Sequence, residues 1–376
     1  MNSEIARTNI DMKIVSHLWG LAAGRCEMCN LLLYIDPTLG IEGNYAQNAH
    51  IHAVGKGGPR HKKDMTQAEI NQCENLMLLC PQHHKTIDTD PIYFTPDYLF
   101  DMKQEHENRI RTTTDIPTSQ ETRMVSYIAP IDESSCSEHN PMLFRQAVLS
   151  SGMYPKQTGV IKLNKSVMPY EATMSYYNQK SIELEKTIKE FREIITAGES
   201  ISIFPLGLQP HLIKLGTLIN DQTNIKVFQC HRDRHKWAWG NGDTSEVDFI
   251  TRCSKNSTAE SLAFVIDLSA VVTDDRIAST LGESIPIWHL TLKNPNRYFV
   301  TNIVIQDLFV KTFRSLFENI KIAIPNCKIV HLFPIMPASL NVRLGMDYMP
   351  KSDFPIKIYD QSKQSNGFFE TITIGG

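Results

Sequence analysis

Asn75-Leu76-Met77-Leu78-Leu79-Cys80-Pro81-Gln82-His83-His84 joins an apolar run to a Cys-x-x-His pair, and upstream Cys26-Glu27-Met28-Cys29 offers a second short-range pair. Two such pairs, each able to chelate from a tight turn and separated by a few tens of residues, have the spacing of a tetrahedral zinc site. Cys26, Cys29, Cys80 and His83 are the expected ligands. Zinc there would contribute on the order of 10 kcal/mol to folding a lobe whose own core is thin. Between the pairs lie Asn48-Ala49-His50-Ile51-His52 and the loop Gly55-Lys56-Gly57-Gly58-Pro59. Hydrolysis of a phosphodiester needs a base for water and a cation on the scissile phosphate. Histidine is the side chain that is both neutral and basic near pH 7. The expected roles are His50 as base, His84 as a ligand of Mg²⁺ or a similar divalent ion, and Asn75 as the tie between the His50 loop and the His84 helix. Lys56, Arg60, Lys62 and Lys63, with His61 among them, form a local positive patch for a DNA backbone.

The 376 residues, 41% hydrophobic, suffice for two or three domains with cores of their own. Charged residues make up 21% and the net charge is −3, so a chain-wide positive field is excluded and polyanion contact must be local. Of eight cysteines, Cys73, Cys136, Cys230, Cys253 and Cys327 are scattered, which fits a reducing compartment with one metal site. The N-terminus lacks a charged-then-apolar leader, and no run of about 18 apolar residues exists. A cytoplasmic protein without membrane contact is expected.

Outward from the zinc pairs, residues 9–23 have helical periodicity, with Ile14, Val15, Leu18 and Leu21 on one side. Residues 44–51 read as the first strand of a hairpin, a helix begins near His83, and another spans 98–110. These place a first domain at 1–110. The polar run opening at Arg111 marks a linker over 111–135, and 136–376 form the second domain. There, a helix over 170–197 carries Ile182, Ile188, Phe191 and Ile195 as its stripe. Strands then alternate with helices, the pattern of an α/β layer fold. One echo stands out: Phe204-Pro205-Leu206 reaches Lys214-Leu215-Gly216 in the same number of steps as Phe333-Pro334-Ile335 reaches Arg343-Leu344-Gly345. It implies two related α/β half-units.

In open α/β sheets, ligands settle at strand ends beside helix N-termini, where free N–H groups and the positive dipole end favour anions. Each half-unit offers such a turn, Pro205-Leu206-Gly207 before Gln209 and Pro334-Ile335-Met336-Pro337 before Ser339. Two facing half-sites suit a ligand with two phosphates. Gln229 precedes Cys230-His231-Arg232-Asp233-Arg234-His235-Lys236-Trp237-Ala238-Trp239, whose bases and indoles could pair with phosphates and stack on bases. The expected ligand residues are Pro205, Gly207, Gln229, Arg232, Lys236, Trp237, Trp239, Pro337, Ser339 and Arg343.

Ala49-His50-Ile51, Gly57-Gly58, Asn75-Leu76 and Leu79-Cys80-x-x-His83-His84 resemble the HNH nuclease family over roughly residues 20–90. The resemblance implies a zinc-braced ββα-metal lobe of α+β class with one catalytic divalent ion. Many members carry Cys at the position of His83 and an acidic ligand at that of Ala49. His52 or Asn48 could replace the latter, and His83 and His84 could exchange roles. The remainder, roughly 140–376, resembles a SAVED domain of two fused CARF-like, Rossmann-like half-units, on the Phe204-Pro205 and Phe333-Pro334 strand ends, the Trp237 loop and Leu344-Gly345. HNH followed by SAVED implies a CBASS anti-phage effector. Such an effector senses a cyclic di- or trinucleotide, assembles into a homo-oligomer and degrades double-stranded DNA. The competing readings are a zinc-stabilised DNA-binding regulator with a small-molecule sensor, and a constitutive restriction-type nuclease.

Overall fold

The computed structural model describes residues 10–131, 140–166, 168–194, 198–219, 224–231, 237–240, 247–253, 258–282, 284–362 and 367–375. The chain divides into two units, Met1–Pro117 and Thr118–Gly376. The first contains α1 (Met12–Leu21), β1 (Gln47–His50), α2 (Gln67–Ile70), β2 (Leu76–Leu79), α3 (Pro81–Thr89) and α4 (Pro96–Thr114). Asp11 caps α1 by accepting from Lys13 N–H, and Thr95 caps α4 ahead of Pro96. β1 and β2 pair antiparallel, from Gln47 opposite Leu79 to His50 opposite Leu76. All four β2 residues are buried, so the strand is a continuous apolar run, not an alternating one. It packs with Leu18, Leu33, Ala49, Ile51, Ile87 and Leu99. α3 lies against both strands, completing a ββα arrangement.

Most of the described part of the expected linker at 111–135 is regular structure. Residues 111–114 finish α4, where Thr113 and Thr114 satisfy their hydroxyls on the carbonyls of Arg109 and Ile110. Beyond the short turn at 118–120, Glu121–Ile128 is a strand, β3, with Met124, Val125 and Tyr127 buried. The polar residues at 111–122 masked the apolar strand just behind them.

The second unit holds the expected repeat. After β3 come α5 (Pro141–Ser150), β4 (Tyr154–Lys162), α6 (Met174–Ile194), β5 (Ile201–Leu206), α7 (Gln209–Ile219) and β6 (Ile225–Val227). Their strands form a parallel sheet in the order β4-β3-β5-β6. β7 (Phe249–Cys253) precedes β8 (Ser261–Asp267), α8 (Asp274–Leu281), β9 (Ile287–Leu292), α9 (Ile303–Ala323), β10 (Ile329–Ile335), α10 (Ala338–Asp347), β11 (Ile356–Ser362) and β12 (Gly367–Ile374). The second sheet runs β12-β11-β10-β8-β9-β7, with β7 and β12 as antiparallel edges. Without those edges the two halves share one topology: β9-β8-β10-β11 repeats β4-β3-β5-β6. The echo read from sequence is the third strand, third helix and fourth strand of each half.

Its Leu-Gly pairs have a physical cause. α7 and α10 cross so closely that a Cβ on Gly216 would fall on the carbonyl oxygen of Val342, and one on Gly345 on that of Ile213. On α6 the expected stripe is partly wrong. Ile182 is 67% exposed, while Tyr176, Tyr177, Leu184, Ile188 and Phe191 are buried; Ile195 lies outside the described residues. No helix among the described residues is long and apolar enough to cross a membrane.

Candidate functional site

The zinc pairs meet in the first unit. One ligand atom each from Cys26, Cys29, Cys80 and His83 lies within 4.8 Å of the others. His83 Nδ1 is 3.1 Å from Cys80 Sγ and 3.7 Å from Cys26 Sγ. The first pair sits on a knuckle closed by Asn30 N–H donating to Cys26 C=O (2.7 Å), with Asn30 left-handed at φ 63°. In the second, Cys80 is the N-cap of α3, Pro81 opens the helix and His83 follows within the first turn. Desolvation pushes the Cys29 thiol up to about 11, and the neighbouring Cys26 and Cys80 add to that. Three thiols and one imidazole at this spacing fit a structural zinc, which would hold the sulfurs as thiolates. The geometry joins His83, not His84, to the thiols.

Glu27 braces the knuckle and was not foreseen. Its N–H donates to Leu78 C=O and its carboxylate accepts from Leu78 N–H, both at 2.9 Å. Lys103 of α4 lies 3.6 Å from the other carboxylate oxygen. Burial pushes Glu27 up to about 7 against the pull of Lys103. A Glu inside a Cys-x-x-Cys turn carries no periodic signal that would announce this.

His50 ends β1, and Asn75 immediately precedes β2. Asn75 is buried and fully engaged: Oδ1 accepts from His52 N–H (2.9 Å), and Nδ2 donates to the carbonyls of His52 (3.0 Å) and Ile70 (2.9 Å). It clamps the backbone on the far side of His50, as expected of a tie, but to the Ile70 turn and not to α3. The link to α3 comes from Arg60. Its guanidinium donates to Ile51 C=O (2.8 Å), to Ile87 C=O and to Asp88 Oδ1 (2.7 Å), and its side chain is 2% exposed. Arg60 is therefore a staple and not a DNA contact. Lys56, Lys62 and Lys63 are exposed. His52, considered as an alternative metal ligand, commits Nδ1 to Arg60 C=O at 2.9 Å.

His84 faces Asp88 one turn along α3, with Nε2 to Oδ2 at 3.6 Å. Sequence reasoning missed Asp88, although its place four residues after His84 on a helix was the available signal. Among the described residues, the zinc set is the one cluster of three or more Cys, His, Asp or Glu close enough to share an ion.

In the second unit a cavity of about 340 Å³ gathers the carboxyl ends of strands from both sheets. Gly207 and Gln209 follow β5, Met336, Pro337 and Ala338 follow β10, and Gln229 and Cys230 follow β6. Ser269 and Ala270 follow β8, Arg297 and Tyr298 follow β9, and Gln361 comes from β11. Of the expected ligand residues, Gly207, Gln229 and Pro337 line it. Arg232 and Lys236 lie outside the described residues. The others serve the fold. Pro205 pairs within β5 against Tyr127. Trp237 is buried, with its ring centroid 5.4 Å from those of Phe144 and Phe204. Trp239 lies parallel to Phe228 at 5.9 Å. Arg343 pairs with Asp307 at 2.8 Å. Ser339 is fully buried, and its N–H donates to Gln229 Oε1 (3.1 Å).

The helix-terminus expectation needs correcting at α10. Gln209 Oε1 already accepts from Met336 N–H (3.0 Å) and from Asn341 Nδ2 (3.3 Å). The two amides thus join the half-units across the cavity floor and occupy donors that would otherwise await an anion. The charged group left on the cavity's described lining is Arg297, beside Tyr298, which is 50% exposed. One wall is pinned by His289, whose Nδ1 is 3.3 Å from Asp267 and Nε2 3.0 Å from Asp274. Those carboxylates bracket the loop carrying Ser269 and Ala270. Tyr177 links two other lining elements: its hydroxyl donates to Asp360 Oδ2 (2.9 Å), and its carbonyl faces His211 Nε2 (3.1 Å). Burial pushes Asp360 up to about 6 and His211 down to about 4.

A ββα unit carrying a Cys3His cluster is thus followed by a duplicated α/β unit. A family model described as SMODS-associated and fused to various effectors sensor domain (SAVED) matches residues 184–374, half of the chain, and the chain belongs to that family. A model described as HNH endonuclease matches residues 26–95, the segment that carries the zinc ligands, His50 and His84. The chain is also similar to the Acinetobacter baumannii Cap4 SAVED/CARF-domain containing receptor solved with the cyclic trinucleotide 2'3'3'-cAAA. That match has 14% identity over 82% of this chain and 65% of that one, with a TM-score of 0.42. With 3'3'3'-cAAA the same receptor gives 14%, 78%, 60% and 0.42. The Moraxella osloensis Cap4 receptor gives 12%, 78%, 60% and 0.40. The chain thus spans less than two thirds of the length of these receptors. No curated protein matches it.

Proposed function

We propose that this chain is a DNA endonuclease switched on by a cyclic oligonucleotide, an effector of a CBASS anti-phage system working in the cytoplasm. The observation that carries the reading is the union in one chain of an HNH endonuclease match and a SAVED sensor match. Cys26, Cys29, Cys80 and His83 hold Zn²⁺ and fix the hairpin against α3. His84, with Asp88, holds Mg²⁺ or a similar ion. A divalent ion bound there would supply positive charge for phosphodiester cleavage. His50 takes the proton from the attacking water. Asn75 and Arg60 hold the backbone of Ile51 and His52, just after His50, and Lys56, Lys62 and Lys63 meet the phosphates of double-stranded DNA.

The sensor ligand is a cyclic di- or trinucleotide seated where the strand ends converge, with Arg297 on a phosphate and Tyr298 against a base. Each chain carries one cutting site, and a duplex has two strands, so activation brings chains together as a homo-oligomer. The ligand must then bind the assembled state more tightly than the single chain, or it shifts nothing. The test is plasmid cutting by the full chain with Zn²⁺, Mg²⁺ and a panel of cyclic nucleotides. Cutting with one member alone is expected. Cutting without any would make the nuclease constitutive, and nucleotide binding without cutting would make the chain a regulator.

A further inference from the structure

We propose that Asn71 is a positioning residue that sets which ring nitrogen of His50 is free to accept a proton. The inference rests on His50 being the base. A neutral imidazole carries its proton on one nitrogen and its usable lone pair on the other, and the partner of one nitrogen decides the role of the other. His50 Nε2 lies 3.0 Å from Asn71 Oδ1. A carboxamide oxygen only accepts, so it draws the proton to Nε2 and leaves the lone pair on Nδ1.

The placement is built, not incidental. Asn71 follows α2, a single turn fixed at its start by a reciprocal cap. Thr66 N–H and Oγ1 donate to Glu69 Oε2 at 2.8 Å, and Glu69 N–H donates back to Thr66 Oγ1. Ile70, next to Asn71, is buried, and its carbonyl accepts from Asn75. Asn75 also grips both backbone polar groups of His52, two residues past His50. One buried carboxamide therefore fastens both segments, the one bearing the base and the one bearing the group that orients it. The turn over 66–72, which looks like a spacer between motif residues, thereby acquires a role.

Ring-nitrogen NMR on the full chain with ¹⁵N-labelled histidine tests this at a pH where His50 is neutral, with His50→Gln assigning the signals. Wild type is expected to show the Nε2–H form at His50. Asn71→Leu, without an acceptor, should mix the two forms and lower nucleotide-activated kcat about 10- to 100-fold, with little change in KM for DNA. Asn71→Asp, which still accepts, should keep the Nε2–H form and recover most of the rate. Zinc content and circular dichroism confirm that each variant is folded. An Nδ1–H form in wild type, or a Leu variant with unmoved ring signals or wild-type kcat, overturns the proposal. His50→Gln cutting at the wild-type rate instead removes the base role itself, a separate failure from a wrong tautomer.

Discussion

Arg60 illustrates how a single residue changes meaning between string and fold. Beside Lys62 and Lys63 it reads as one more cation for DNA. In the structure, its backbone is left-handed at φ 55° and its guanidinium is spent on Ile51, Ile87 and Asp88. Removing it strands two carbonyls, so Arg60→Ala should destabilise the first unit by about 2–4 kcal/mol. It should also lower cutting at every salt concentration. Lys62→Ala with Lys63→Ala should leave the denaturation midpoint unmoved and instead flatten the salt dependence of DNA binding. Titrating denaturant and salt on the two proteins separates these roles. A second residue-scale expectation concerns His211 and Asp360, joined through Tyr177. His211 has its folded value lowered to about 4 from 6.5, so its stabilisation is complete above pH 6.5 and fades as pH falls toward 4. Asp360 has its folded value raised to about 6 from 3.8, so acidification through that window favours the folded state. Between pH 6 and 4 the two nearly cancel. Asp360→Asn removes the compensation, and its stability relative to wild type should fall by up to about 1.4 kcal/mol per pH unit across that window. Denaturation midpoints of both proteins from pH 7 to 4 check this; parallel curves would contradict it.

Among the elements, α7 and α10 hold the two half-units together. Their contact depends on hydrogen in place of a methyl group at Gly216 and Gly345, since each Cβ would strike a carbonyl of the facing helix. Either Gly→Ala change should cost about 1–3 kcal/mol by forcing the helices apart. Because the helices begin at Gln209 and beside Pro337 on the cavity wall, nucleotide affinity should weaken as well, measurable by calorimetry. These glycines were legible in sequence as a repeated Leu-Gly, and so were the zinc pairs, because both rest on local spacing. The strand β3 was not legible, since its apolar run directly follows a polar stretch and has no turn signal of its own. The indole assignment failed for a different reason. Trp237 adjoins basic residues in the chain, but its burial against Phe144 and Phe204 is a tertiary fact. Arg297 and Tyr298 were passed over because only the convergence of strand ends from both sheets makes their loop part of a site.

In the proposed mechanism, a ligand bound to one unit governs chemistry in the other. If the cyclic nucleotide acts by favouring assembly, linkage requires that assembly favour the nucleotide in return. Apparent nucleotide affinity should therefore rise with chain concentration, and light scattering should report greater mass only when the activating nucleotide is present. The factor is bounded by the differential affinity: moving the equilibrium from 1:99 to 99:1 takes about a 10⁴-fold preference for the assembled state. His50→Gln should assemble as wild type does while leaving plasmid intact, because it lies outside the sensor unit. Mixing it in excess with wild type should then suppress double-strand breaks more strongly than nicks, since a break needs two competent chains on one duplex. Equal suppression of nicks and breaks, or a nucleotide affinity independent of chain concentration, would mean that each chain is switched on singly.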